Sequence, residues 1–166
     1  MVPKPKRGVP YCRKNCIWIV KNLIRKILKE EINQIKWVKP DFKDEKEEFE
    51  LVVYELQKVI SLTDLINSYQ NSDMGVLTDE EWSQMENTDS WGLETEEDMY
   101  RVIGGYGRSD ERILKYSLEP IKNGGVVETP IVLYMENYPP YLIAGNTRLS
   151  ACKVLGVTPK VTKVYV

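Results

Sequence analysis

The chain has 166 residues, 42% of them hydrophobic and 29% charged, with a formal net charge of −2. That is the size and make-up of one ordinary globular domain with room for an appendage, and a domain of this size buries roughly 70% of the surface its unfolded chain exposes. Histidine is absent, which excludes Ser-His-Asp and Cys-His catalysis, imidazole metal sites and imidazole proton shuttles, and leaves Asp, Glu, Lys, Tyr, Cys or water as the general base.

Three cysteines are too few for an all-cysteine zinc site, so no metal site is expected. Cys12 and Cys16 are either idle thiols near a helix start or a redox pair, and Cys152 reads as core. The odd count, with no secretion signal, points to a reducing, cytoplasmic setting. The apolar run Ile17-Trp18-Ile19-Val20 is too short to span a membrane.

Charge is laid out in blocks. Residues 1–37 hold ten Lys/Arg against two Glu, residues 38–111 six basic against twenty acidic, and residues 112–166 seven basic against three acidic. The middle repels a polyanion and the two ends attract one. The basic N-terminal segment therefore either complements the acidic middle within the fold or contacts nucleic acid.

In chain order, residues 1–15 read as a flexible basic arm. From Ile17 to Val38, Val20, Leu23, Ile24, Ile27, Leu28, Ile32 and Ile35 recur at helical spacing, with Lys21, Arg25, Lys29 and Lys36 mostly between them. This predicts an amphipathic helix ending near Lys39-Pro40, packed on the core or free for a membrane surface or partner. Residues 1–47 are thus expected as arm and helix, and 48–166 as the main domain.

Asp41–Glu48 reads as a charged linker. Phe49–Leu56 reads as a strand, on its content of β-formers, and Ser61–Tyr69 as a short helix. From about 70 to 108 the chain is acidic and weakly patterned, an expected helical insertion. Thr78 with Glu81, and Thr95 with Asp98, each resemble a capping box. Trp82, Trp91 and Tyr100 there either pack on the core or form a partner surface. Ser109 is placed to cap a helix whose inner side carries Ile113, Leu114, Ser117 and Leu118, with a break or kink expected near Glu119 because of Pro120. Asn123-Gly124-Gly125 ends it. Ile131–Met135 and Tyr141–Ala144 read as strands, Leu149–Leu155 as a helix closed by Gly156, and Lys160–Val166 as a final strand.

The informative arrangement is strand, then Gly145-Asn146-Thr147-Arg148, then helix. Gly145 lets the backbone turn tightly and approach a ligand. The amides of Asn146, Thr147 and Arg148 lie where a helix leaves N–H groups without partners and carries partial positive charge. Such a terminus suits phosphate. Arg148 adds a two-pronged cation, or else caps or pairs within the fold, and Thr147 is either the cap or a second donor.

These pieces resemble the ParB/sulfiredoxin superfamily. Its members carry a helix ending in an Asn-Gly-type turn, a Pro-Ile/Val strand, a short hairpin, a Gly-x-x-Arg-x-x-Ala box opening a helix, and a closing strand. Here these are Ile121-Lys122-Asn123-Gly124, Pro130-Ile131-Val132-Leu133, Tyr141–Ala144, Gly145–Ala151 and Val161–Val164. The family's first strand and helix are matched to Tyr54-Glu55-Leu56 and Leu62–Ile66. The resemblance implies an α+β fold, a small mixed sheet with flanking helices, and a phosphate- or nucleotide-binding box at Gly145, Asn146, Thr147 and Arg148. It also implies ATP or CTP with Mg²⁺.

Family activities diverge among CTP-dependent DNA clamps, nucleases, ATP-dependent sulfinic acid reduction and serine kinases. Sulfiredoxins have Cys where Asn146 stands, which argues against that chemistry. Partition proteins have an acidic residue and a second arginine in place of Asn146 and Thr147, and continue into a helix-turn-helix that is not expected after Val166. The serine kinases have an Asp and two His in place of Ala144, Asn146 and Thr147.

The expectation is a nucleotide-dependent phosphotransferase or NTPase, with Asp64, Glu55 and Glu128 as candidate catalytic carboxylates. The alternatives are a DNA-binding module, with or without nuclease activity, and a non-catalytic interaction protein. The composition would suit a phage or mobile-element protein.

Overall fold

The computed structural model describes residues 35–56 and 59–166, and within them the chain has an α+β fold. Four strands form a mixed sheet in the order β2 (Asp73–Val76), β6 (Lys160–Tyr165), β4 (Ile131–Tyr134), β5 (Tyr141–Ala144). β4 runs parallel to β6, while β2 on β6 and β5 on β4 are antiparallel. A separate parallel pair joins β1 (Lys36–Val38) to β3 (Val126–Glu128).

Side-chain alternation along β4 divides the core in two. Ile131 and Leu133 face one layer with Phe49, Val52, Leu65 and Tyr69, from α1 (Lys46–Glu55) and α2 (Leu62–Gln70). Val132 faces the other layer. That layer holds Trp82 of α3 (Asp79–Gln84), Met99 and Ile103 of α4 (Glu96–Gly105), and Leu149 and Cys152 of α7 (Asn146–Leu155). Cys152 is fully buried, and burial pushes its thiol pKa up, as a core cysteine requires.

Local capping signals are realised. Ser61 caps α2, Ser109 caps α5 (Asp110–Ile113), and Thr78 and Thr95 each form a complete capping box with Glu81 and Asp98. Gly156 ends α7 in the left-handed region at φ 65°.

Several expectations are corrected. Phe49–Leu56 is not a strand: residues 46–55 form α1. Phe49, Val52, Val53 and Leu56 are spaced i, i+3, i+4, i+7, and this helical stripe outweighs the β-propensity of the individual residues, leaving Leu51 and Tyr54 exposed. The charged segment 41–48 therefore contains the start of a helix rather than a linker throughout. The strand match at Tyr54-Glu55-Leu56 fails with it. The strand beside the matched helix Leu62–Ile66 is β2, which follows it within the acidic stretch and pairs with β6.

The predicted N-terminal helix does not reach Val38, because Lys36–Val38 is β1; its remainder, with Cys12 and Cys16, lies outside the described residues. Pro120 does not break its helix. Residues 114–118 form a π-helical turn between α5 and α6 (Glu119–Lys122), and the Glu119 N–H bonds Leu114 O, five residues back. The backbone stays right-handed helical through Glu119, so the conflict at Pro120, which has no N–H to give, is absorbed by widening one turn. Among the described residues no helix is long and apolar enough to cross a membrane.

Candidate functional site

The turn after β5 is shaped by two backbone features. The β4–β5 register shifts between Ile131 and Val132 (Ile131 opposite Ala144, Val132 opposite Leu142), so Ile143 is an extra residue in the ladder. Gly145 then takes φ 97°, ψ 22° as the N-cap of α7. A Cβ on Gly145 would lie 2.7 Å from Pro130 Cα and 3.3 Å from Arg148 Nε. Only glycine combines this left-handed backbone with so close an approach.

α7 begins at Asn146, three residues before the predicted start, and its first turn has no side-chain cap. The first intrahelical bond runs from Leu149 N–H to Gly145 O at 3.0 Å. Among the described residues, the N–H groups of Asn146, Thr147 and Arg148 have no acceptor.

Gly145 through Arg148 line a cleft of about 910 Å³. Its lining also includes Arg108, just before α5, and Arg112, Lys115 and Tyr116 of the α5–π–α6 helix, all exposed, with the buried Ser117. Asp44 and Glu45, just before α1, Glu48 within it, and Glu128 at the end of β3 line the same cleft. Two hydroxyls in the lining stand out. Ser117 is 3% exposed and Thr147 is 8% exposed, and neither hydroxyl has a hydrogen-bond partner among the described residues. Their oxygens are not among the fully buried unpartnered ones, which are those of Tyr134 and Ser150, so they keep access to the cleft they line.

Arg148 is positioned by three partners. It donates to Glu45 Oε1 at 2.8 Å, to Glu128 Oε2 at 3.2 Å and to Thr129 O at 3.4 Å. Its side chain is 14% exposed and that of Glu45 is 10% exposed. Glu45 is brought there by an aromatic cluster. Phe42 and Phe49 meet edge-on at 5.2 Å and Phe49 and Tyr69 at 5.0 Å, while the Tyr69 hydroxyl donates to Pro40 O. Lys39 ties the same segment to the end of α2 through the carbonyls of Tyr69 and Ser72.

Asn146 does not cap its own helix either. Its Oδ1 accepts from Thr88 Oγ1 and Asp89 N–H, both at 2.9 Å, and its Nδ2 donates to Asp89 Oδ2. The Tyr106 hydroxyl holds the other Asp89 oxygen at 3.2 Å. The acidic stretch thus supplies the clamp that turns the Asn146 side chain away from the amides.

Of the carboxylates named from sequence, only Glu128 meets the box. Asp64 lies in the first turn of α2, its carboxylate accepting from the Ser61 cap at 2.6 Å, and Glu55 accepts from the Tyr141 hydroxyl; neither lines the cleft. Glu45, Asp89 and Ser117 were not singled out as site residues from sequence. The first two sit in charged runs with no distinguishing spacing, while Ser117 was legible only as an inward helix position.

The implied cofactors divide on this geometry. A volume near 900 Å³ lies within the roughly 300–1,000 Å³ of ligand pockets, and uncapped amides with two free hydroxyls suit phosphate oxygens. Among the described residues no group of three or more Asp, Glu or Cys side chains is placed to hold a metal ion. A smaller, open hollow of about 400 Å³ beside Asn67, Asp73 and Lys163 contains none of the box residues. No protein-family model, curated protein or solved structure matches this chain.

Proposed function

We propose that the chain is a phosphate- and nucleotide-binding protein of the ParB/sulfiredoxin-like kind, taking ATP or CTP with its phosphates at the N-terminus of α7. The supporting observation is the set of three N–H groups at Asn146–Arg148 without an acceptor among the described residues, with the hydroxyls of Ser117 and Thr147, which line the same cleft. Arg108 and Arg112, also in the lining, add positive charge. If phosphoryl transfer or NTP hydrolysis takes place there, Glu128 is the member of the predicted carboxylate set within the cleft, and Asp64 and Glu55 have no part in it.

Calorimetric titration with ATP, CTP and GTP, with and without Mg²⁺, tests the proposal. Wild type binds at least one nucleotide, and Ser117→Ala and Arg112→Ala each weaken it by about 3- to 10-fold, the loss expected for one hydrogen bond or one partly screened charge. No heat with any nucleotide, or unchanged affinity in both variants, refutes it.

A second reading, binding without catalysis, has its own support: the Arg148 charge is already offset by Glu45 and Glu128, leaving little to stabilise a transferring phosphoryl group. Phosphate release under saturating nucleotide separates the two. The DNA-module alternative draws on Arg108, Arg112 and Lys115 but meets Asp44, Glu45, Glu48 and Glu128 in the same cleft. Steep salt dependence of DNA binding would favour it.

A further inference from the structure

We infer that Asp89 is a positioning residue for the cleft. Its two carboxylate oxygens tie the segment that carries the α7 amides to the segment that carries Arg108 and Arg112, and so fix the spacing between them. This inference rests on the phosphate-binding proposal and names how the same site is held ready for its ligand.

Asp89 lies outside the cleft lining, so it acts through its partners. Asp89 Oδ2 accepts from Asn146 Nδ2, and the Asp89 N–H donates to Asn146 Oδ1 at 2.9 Å. Asn146 is the first residue of α7, where the amides without an acceptor begin. Asp89 Oδ1 accepts from the Tyr106 hydroxyl at 3.2 Å. Tyr106 follows the last residue of α4 and stands two residues before Arg108, with Gly107 between them at φ 82°. Tyr106 is 69% exposed, so packing does little to hold this turn, and the bond to Asp89 ties it to the box.

The bridge has a fixed footing. Thr88 and Ser90, on either side of Asp89, are buried. Their hydroxyls lie 3.0 Å apart, and Ser90 Oγ accepts from Trp82 Nε1 at 2.9 Å. Binding groups held in place before the ligand arrives lose less freedom on binding it. A negative charge near an anion site opposes the anion, so what Asp89 gives the cleft is its pair of hydrogen bonds. A carboxamide supplies the same pair: its oxygen accepts from Asn146 Nδ2 and its nitrogen donates to the Tyr106 oxygen.

The test measures the affinity of the full chain for ATP, CTP and GTP with Mg²⁺ by calorimetry, with a melting temperature for every variant. Asp89→Ala weakens the nucleotide that wild type binds by about fivefold or more, the loss of one to two hydrogen bonds. Asp89→Asn stays within about twofold of wild type or binds more tightly. Tyr106→Phe, which removes one exposed hydroxyl and keeps the fold, weakens binding by about threefold. In the Asp89→Ala background it adds nothing, because Tyr106 acts through Asp89. Wild-type affinity in Asp89→Ala or in Tyr106→Phe overturns the inference, even where the melting temperature falls, since Asp89 then serves stability alone. Asp89→Asn as weak as Asp89→Ala overturns it too, because the retained bonds are then not what matters. So does a further loss from Tyr106→Phe in the Asp89→Ala background, because Tyr106 then reaches the ligand by itself. Each of these results leaves the phosphate site standing. If wild type binds none of the three nucleotides, the phosphate site falls and the inference falls with it.

Discussion

Truncating Arg148 tests the construction of the site most directly. Arg148→Ala leaves Glu45, whose side chain is 10% exposed, without the guanidinium 2.8 Å away. Removing one partner of a buried ion pair costs about 3–5 kcal/mol, because the remaining charge stays desolvated. The second arm adds little: Glu128 is 50% exposed at 3.2 Å, and exposed pairs contribute about 0–1 kcal/mol. Neither member of the Glu45 pair is fully sealed, so the lower end applies and Arg148→Ala is expected to cost about 3 kcal/mol. Glu45→Gln keeps a hydrogen-bonding oxygen and leaves Arg148 with Glu128, so about 1 kcal/mol is expected. The double variant Arg148→Met/Glu45→Leu, which leaves no unpaired charge in that pair, recovers most of the loss. Urea unfolding followed by circular dichroism gives each free energy, and the cycle of singles and double gives the coupling. An Arg148→Ala protein within about 0.5 kcal/mol of wild type, the range of ordinary surface substitutions, would show that the guanidinium is not committed to Glu45.

Two further outcomes follow from the backbone and the phenols. Gly145→Ala is expected to destabilise by at least about 2 kcal/mol, since left-handed backbone alone costs a side chain roughly 1–2 kcal/mol and the new Cβ would meet Pro130 Cα at 2.7 Å. A melting temperature equal to wild type would contradict the turn geometry. Tyr69 is pushed up to about 12, chiefly by burial and then by the charge of Glu45. Tyr141 is pushed up to about 12 by burial and by its hydrogen bond to Glu55. Unfolded tyrosine ionises near 10, so the folded state holds these protons more tightly. Their contribution to stability is full below about pH 10 and is lost as pH rises through about 12. Melting temperatures falling steeply above about pH 10, with late-ionising phenols at 295 nm, would bear this out; all tyrosines titrating near 10 in the folded protein would refute it.

What was legible in the sequence was local. Thr78–Glu81 and Thr95–Asp98 span three residues each, and the chemistry of a helix start is complete within that window. The β5–turn–α7 unit was legible for the same reason: Gly145 can be read as a turn without knowing what it packs on. α1 was misread because composition was given more weight than spacing, although Phe49, Val52, Val53 and Leu56 already carried the helical interval. β1 and β3 are three residues long and pair across about ninety positions, so nothing near either one announces it. The partner of Arg148 was hidden in the same way. Glu45 lies 103 positions away, in a run where Asp41, Asp44, Glu47 and Glu48 are equally acidic. Only the Phe42–Phe49–Tyr69 cluster decides which of them reaches the guanidinium.

For the proposed phosphate site, that partner alters where anion affinity would come from. A box arginine read from sequence is a free cation; one held by two carboxylates contributes little net field to a phosphate until a carboxylate lets go. The attraction would then fall to groups that a motif does not display: three backbone amides, Arg108 and Arg112, and the Ser117 and Thr147 hydroxyls. Ser117 lies in the π-helical turn just before the proline that was expected to break or kink the helix. Pro120 has no N–H for the carbonyl four residues back, and the chain answers with a widened turn at Leu114–Leu118. Single π-helical turns of this kind recur at functional sites because they re-aim one side chain at a local cost in helix geometry. A local conflict in the sequence thus marks a residue that the box alone does not, and the loss of affinity in Ser117→Ala measures how much of the site depends on it.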